Sequence, residues 1–164
     1  MKCCLSLAVA LAVVNFPSVS FAVSEEMYIF ANERNQTIHV EKMMLLLVGL
    51  LACHYLADFC LTWPALIQSK ADARSIRPIL LHAGVHAVLM GGCLLVYGVD
   101  ARLFLILTLL ELITHFLIDT IKAHVSVRFP LLADIKQKAY WVLFGLDQLL
   151  HQMVVVAIWY AAVS

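Results

Sequence analysis

The chain has 164 residues, of which 63% are hydrophobic and 13% are charged, and its mean hydropathy is +0.93. This composition is too apolar for an ordinary soluble domain, and the length leaves room for one membrane domain of about four or five helices. The formal net charge of zero provides no basic face, so no nucleic-acid partner is expected.

Residues 1–22 have the features of a secretory signal peptide. Lys2 supplies a short positive start, an apolar core follows, and Ser20 and Ala22 are small residues of the kind a signal peptidase reads. The prediction is a cleaved signal peptide, and the alternatives are an extra N-terminal hydrophobic helix or an extension from a misassigned start. Residues 23–42 are more polar and are predicted to form an extracytoplasmic segment.

Four later runs are apolar over about the 20 residues that a membrane-spanning helix needs. Spans are predicted over about residues 43–63, 78–97, 101–121 and 139–163. Pro64 ends the first span, Gly98 lies in a tight turn after the second, and residues 64–77 read as a polar loop. Residues 122–138 form a longer connection with a short interfacial helix near 130–135. The predicted fold class is all-α, a polytopic membrane helix bundle with four core transmembrane helices.

Basic residues indicate the orientation of these spans. The loops 64–77 and 122–138, with the residues next to them, carry Lys70, Arg74, Arg77, Lys122, Arg128, Lys136 and Lys138. The segments at the opposite end of the bundle carry only Arg34, Lys42 and Arg102. The positive-inside rule therefore places both loops in the cytoplasm and the C-terminus outside. A signal peptide predicts the same topology.

Acids and histidines recur at four-residue spacing within all four spans, so each set lies on one helical face. The sets are His54 with Asp58, His82 with His86, Glu111 with His115 and Asp119, and Asp147 with His151. At about 1.5 Å of rise per residue, these groups reach overlapping depths in the cytoplasmic half of the bundle. A charge at mid-bilayer costs about 3 kcal/mol or more without a partner, which indicates a shared polar site.

The first interpretation of this site is a membrane-embedded metal-dependent hydrolase. The predicted ligands of a divalent zinc, manganese or iron ion are His54, Asp58, His82, His86, His115, Asp119 and His151. Glu111 and Asp147 are the predicted catalytic residues, which would take a proton from an activated water. Lys70 and Lys122 would hold a lipid-linked or phosphate-bearing substrate at the rim, beside the lipid bilayer.

Other interpretations stay open. The same side chains could form a buried polar network that orients the helices, or bind a substrate without metal. They could also relay ions in an ion- or proton-coupled transporter, and four short helices would then imply a homo-oligomer. A further class is a non-catalytic accessory membrane subunit whose polar faces bind partner helices.

Several motifs together resemble the domain-of-unknown-function family 3307. They are His54-Tyr55-Leu56-Ala57-Asp58-Phe59, Leu80-Leu81-His82 with His86, His115-Phe116-Leu117-Ile118-Asp119 with Lys122, and Asp147-Gln148-Leu149-Leu150-His151. The resemblance covers about residues 43–164 and implies a small bacterial integral membrane protein with no established activity. One departure is Thr62, because the family usually has a glutamine shortly after the Asp-Phe pair.

Overall fold

The structure, a computed structural model, describes the backbone of residues 16–72 and 75–164 and the side chains of residues 27–68 and 75–164. The predicted signal segment therefore lies outside the described residues, apart from the backbone of 16–22. The chain divides into two compact units, Met1–Lys42 and Met43–Ser164. In the first unit, the predicted polar segment 23–42 is helical, and its described side chains are exposed.

The regular elements of the described residues are all helical. In chain order they are α1 (Phe16–Tyr55), a π-helical turn (Leu56–Cys60), α2 (Pro64–Asp72), α3 (Arg77–Tyr97), α4 (Ala101–Arg128), a 3-10 turn (Pro130–Leu132) and α5 (Lys138–Val163). Within the part of the chain that the structure describes, four stretches are long and apolar enough to cross a membrane: Met27–Cys60, Arg77–Tyr97, Ala101–Arg128 and Lys138–Val163. The predicted fold class, an all-α polytopic membrane helix bundle, is confirmed.

The segment after the first span differs from the sequence prediction. Residues 64–77 read as a polar loop, whereas the structure forms helix α2 in the first part of that segment. Pro64 is the first residue of α2, a position where its fixed φ and missing N–H are well tolerated. Leu66 then packs, fully buried, against Ile79 and Ala123. One buried leucine thus anchors a short helix that is otherwise polar in sequence.

Helices α3 and α4 form the predicted antiparallel hairpin, and residue-specific signals define their ends. Gly98 ends α3 with φ of 92°, a left-handed conformation that glycine adopts without steric cost. The Asp100 side chain begins α4 by accepting hydrogen bonds from the backbone N–H groups of Arg102 and Leu103. Helix α4 continues to Arg128, beyond the predicted end of the third span at about residue 121.

Each long helix of the second unit carries one buried stripe that is polar toward one end of the bundle and apolar toward the other. The buried apolar part, here called the apolar layer, consists of Leu46, Leu50, Met90, Leu94, Leu107, Val155 and Ile158. Trp159 closes this half by donating an indole N–H to the Met43 carbonyl at 2.8 Å. Because lipid tails are as apolar as leucine, close packing holds this layer together in a bilayer.

Candidate metal centre

All acids and histidines predicted from the four spans come together in the polar half of the second unit. The Asp58 side chain is 8% exposed. The other members are buried: His54, His82, His86, Glu111, His115, Asp119, Asp147 and His151. We call these residues the polar cluster. The two remaining histidines of the chain, His39 and His124, are exposed and lie outside the cluster.

Asp58 joins two helices through the π-helical turn that follows α1. The turn is closed by a hydrogen bond from the Leu61 N–H to the Leu56 carbonyl, which widens the helix and changes the direction of its side chains. The Asp58 Oδ1 lies 3.0 Å from His82 Nε2 and 3.3 Å from His86 Nε2, and its Oδ2 lies 3.4 Å from His54 Nε2. One carboxylate therefore contacts imidazoles of α1 and α3.

His115 lies at the middle of the polar cluster. Its Nδ1 is 3.4 Å from Glu111 Oε1 and its Nε2 is 3.6 Å from Asp119 Oδ2, both on the same face of α4. Its ring centroid is 3.6 Å from that of His86 on α3 and 4.2 Å from that of His151 on α5. His115 thus links the side chains of three helices.

Several imidazole nitrogens of the polar cluster are buried without a hydrogen bond. They are both ring nitrogens of His54, His86 and His115, Nδ1 of His82, and Nε2 of His151. A buried polar group without a good hydrogen bond costs about 1–3 kcal/mol, and for several of these nitrogens the nearest carboxylate oxygen lies 3.3–3.6 Å away. The lone pair of a neutral imidazole is a preferred ligand for zinc and other transition metals. A cation among these rings would remove the penalty.

Among the described side chains, three overlapping groups have the spacing to hold a metal ion. They are His54, His86, Glu111 and His115; Asp58, His82, His86 and His115; and His115, Asp119 and His151. Within each group the ligand atoms all lie within 4.8 Å of one another, and His115 belongs to every group. Imidazoles and carboxylates are ligands that suit zinc, manganese or iron.

The two predicted catalytic acids occupy different surroundings. Glu111 belongs to one of the groups that could hold a metal. Asp147 belongs to none of them, and its Oδ2 accepts a hydrogen bond from Lys122 Nζ at 2.7 Å. Lys122, predicted as a rim residue, is therefore paired with a cluster acid, and its side chain is 22% exposed. The side chain of Lys70, the other predicted rim residue, lies outside the described part of the chain.

Two contacts were not recognised from the sequence. The first is the ion pair between Lys122 and Asp147. Lys122 follows Asp119 by three residues and so continues the polar face of α4, a spacing that indicates a position beside the cluster. Gln148 donates from Nε2 to Asp58 Oδ2 at 2.8 Å, which links α5 to the π-helical turn. Nothing in the local pattern pairs Gln148 with a residue so far away in sequence.

A partly open cavity of about 400 Å³ lies beside the polar cluster, and we call it the side cavity. Its polar wall is formed by Asp58, Lys122, Asp147 and Gln148. Its other walls are mainly apolar and include Phe59, Leu66, Ile67, Leu132, Leu143 and Phe144. The cavity lies at the end of the unit that contains α2, the 3-10 turn and the start of α5, and Asp58 and Asp147 are the members of the polar cluster that line it.

Comparison with known proteins gives one match. The family model described as "Protein of unknown function (DUF3307)" matches residues 46–164, a range that contains the whole polar cluster and the side cavity. No curated protein and no solved structure matches the chain.

Proposed function

Because the chain belongs to the DUF3307 family, whose description assigns no activity, we propose a function from the polar cluster itself: a membrane-embedded, metal-dependent hydrolase. The observation that carries this proposal is the buried His115, whose ring is shared by three groups able to hold a metal beside an accessible cavity. A divalent zinc, manganese or iron ion bound there supplies Lewis acidity and an activated water.

Asp147 is the residue best placed to accept the proton of an attacking water. Its side chain lines the side cavity, whereas that of Glu111 does not. Lys122 holds the Oδ2 atom of Asp147, and the Oδ1 atom has no hydrogen-bond partner. A carboxylate that a lysine holds through one oxygen, and whose other oxygen makes no hydrogen bond, can serve as a general base.

The substrate proposed for this site is a phosphate-bearing amphiphile, such as a lipid-linked phosphate. The side cavity combines a polar wall next to the cluster with apolar walls that suit a hydrocarbon chain. The Lys122 ammonium has about three N–H donors, and Asp147 Oδ2 accepts only one of them. The others remain available for an anionic headgroup at the cavity.

The apolar layer favours hydrolysis over ion transport. Beyond the polar cluster, the buried stripes of the described helices continue with Leu50, Met90, Leu107 and Val155. A carrier moves its ion along polar groups that reach both membrane faces. Among the described side chains, the buried acids and histidines lie toward one end only, which suits a site that is entered and left from the same side.

We place the side cavity on the cytoplasmic side of a bacterial inner membrane, because α2 and the 3-10 turn belong to the two basic loops. The C-terminus is then outside. An alkaline phosphatase domain fused after Ser164 should be active in cells. A fluorescent protein fused at the same position and exported by the general secretory route should not fluoresce. The reverse pattern would contradict this orientation.

Metal analysis tests the proposed function directly. Protein purified in detergent should contain near-stoichiometric zinc, manganese or iron, as measured by elemental mass spectrometry. A ligand that binds only the folded state at a hundred times its Kd stabilises by about 2.7 kcal/mol, so a chelator should lower the melting temperature. Re-addition of metal should restore it. The proposal would be excluded if the purified protein contains no metal and if neither chelator nor added metal changes its melting temperature.

Hydrolysis is tested with the same preparation. Metal-loaded protein should release inorganic phosphate from a lipid phosphate monoester in mixed micelles, and chelator should stop the release. The Asp147→Asn variant should keep its metal, since Asp147 is outside the groups that could hold an ion, and should lose most of the hydrolysis. A variant with unchanged phosphate release would remove Asp147 from the mechanism.

A further inference from the structure

The polar cluster contains more ligands than one metal ion can bind. It presents five imidazoles, together with the carboxylates of Asp58, Glu111 and Asp119, whereas zinc takes about four ligands and octahedral ions about six. We propose that the cluster binds two divalent ions side by side. This inference rests on the proposed metal binding and extends it to the number of ions and the class of substrate.

The ligands divide into two sets without sharing a residue. One set, which we call site B, consists of His115, Asp119 and His151. The other set, which we call site A, consists of Asp58, His82 and His86, which remain from another group once His115 is assigned to site B. Site A is built from α3 and the π-helical turn, and site B from α4 and α5. Each site thus has three protein ligands and leaves positions for water or substrate, as catalytic metal sites do.

The two sites are adjacent. The rings of His86 in site A and His115 in site B have centroids 3.6 Å apart. Asp119 Oδ2 lies 3.6 Å from His115 Nε2 and 4.0 Å from His82 Nε2, so its carboxylate stands between the two sites. Paired catalytic ions are typically about 3.5–4 Å apart and are often bridged by a carboxylate.

Three further residues support this arrangement as positioning residues. Glu111 Oε1 lies 3.4 Å from His115 Nδ1, so it can accept that N–H and leave Nε2 to bind metal. Gln148 donates to Asp58 Oδ2 and so orients the carboxylate of site A. His54 Nε2 lies near the same oxygen, at 3.4 Å. Each site therefore has side chains that hold its ligands in place.

A two-ion centre also specifies the substrate class. Two dipositive ions against the carboxylates of Asp58, Glu111 and Asp119 leave an excess of positive charge, while Lys122 neutralises Asp147. That excess favours an anionic substrate next to the side cavity. In two-metal sites the ions stabilise the attacking and leaving oxygens of an in-line displacement at phosphorus. The inferred substrate is therefore a phosphate ester.

Titration with manganese tests the two-ion proposal. Metal-free wild-type protein should take up two manganese ions per chain, and its electron paramagnetic resonance spectrum should show the exchange coupling of a close Mn(II) pair. The His82→Asn and His151→Asn variants should each take up one ion and give the spectrum of an isolated Mn(II). His124→Asn, which changes an exposed histidine of α4, should still bind two coupled ions.

The possible failures are distinguishable. One ion per wild-type chain, lost in both His82→Asn and His151→Asn, would overturn the two-ion proposal and leave the proposed metal-dependent function standing. Two ions without exchange coupling would overturn the adjacency of site A and site B. No ion in the wild type would overturn both proposals. The wild-type spectrum decides the question by itself if either variant fails to fold.

Discussion

The His115→Ala variant is expected to lose at least half of its bound metal and about a thousandfold in hydrolysis rate, since Lewis-acid stabilisation supplies several kcal/mol. The reason is the position of His115, whose imidazole belongs to all three groups able to hold an ion. Element analysis and phosphate release measure the two effects. His124→Ala, on the exposed face of the same helix, serves as the matched control and should change neither quantity.

Thermal stability of the same variant separates a metal site from a polar network that only orients helices. With metal present, the wild type should melt well above His115→Ala, because the ion stabilises the folded state. In chelator the gap should shrink. The alanine leaves a small cavity, but it also removes two buried ring nitrogens that have no hydrogen bond. A gap that stays equally large in chelator would favour the purely structural network.

The second large effect is expected for Lys122→Met, which leaves the Asp147 carboxylate buried without its cation. Lys122 Nζ lies 2.7 Å from Asp147 Oδ2, and the Asp147 side chain is only 3% exposed. Removing one partner of a buried ion pair costs about 3–5 kcal/mol, and we expect about 3 because the lysine side chain is partly exposed. Unfolding in mixed detergent micelles measures the change in the free energy of unfolding.

Two further variants isolate the ion pair in that experiment. Lys122→Met combined with Asp147→Asn should recover much of the lost stability, because the uncompensated charge is gone. Lys136→Met changes a lysine whose side chain is exposed in the neighbouring connection, and it should have little effect. Equal losses in Lys122→Met and Lys136→Met, or a double variant no more stable than Lys122→Met, would show that the pair is energetically unimportant.

Local spacing was sufficient to identify the members of the polar cluster. Side chains at i and i+4 share a helical face wherever the helix packs, so Glu111, His115 and Asp119 could be assigned to one face before any tertiary contact was known. Length and hydropathy likewise determined the fold class, because a span needs only enough consecutive apolar residues. These are properties of short windows of sequence.

The helix boundaries were harder to predict. Helix α4 extends to Arg128 through residues that are more polar than its centre, and α2 forms where the sequence reads as a loop. In both places the deciding contact is tertiary, since Leu66 of α2 packs on Ala123 of α4. Propensity within either segment does not contain that contact.

The sequence by itself determined that this protein is a helical membrane bundle with acids and histidines gathered at one level. Only the tertiary structure decided which of them meet: Asp58 with three imidazoles through the π-helical turn, Lys122 with Asp147, and His115 with His86 and His151. The physical reason is that such contacts depend on the rotation and crossing of separate helices. That geometry comes from side-chain packing over the whole bundle, and no single stretch of sequence specifies it.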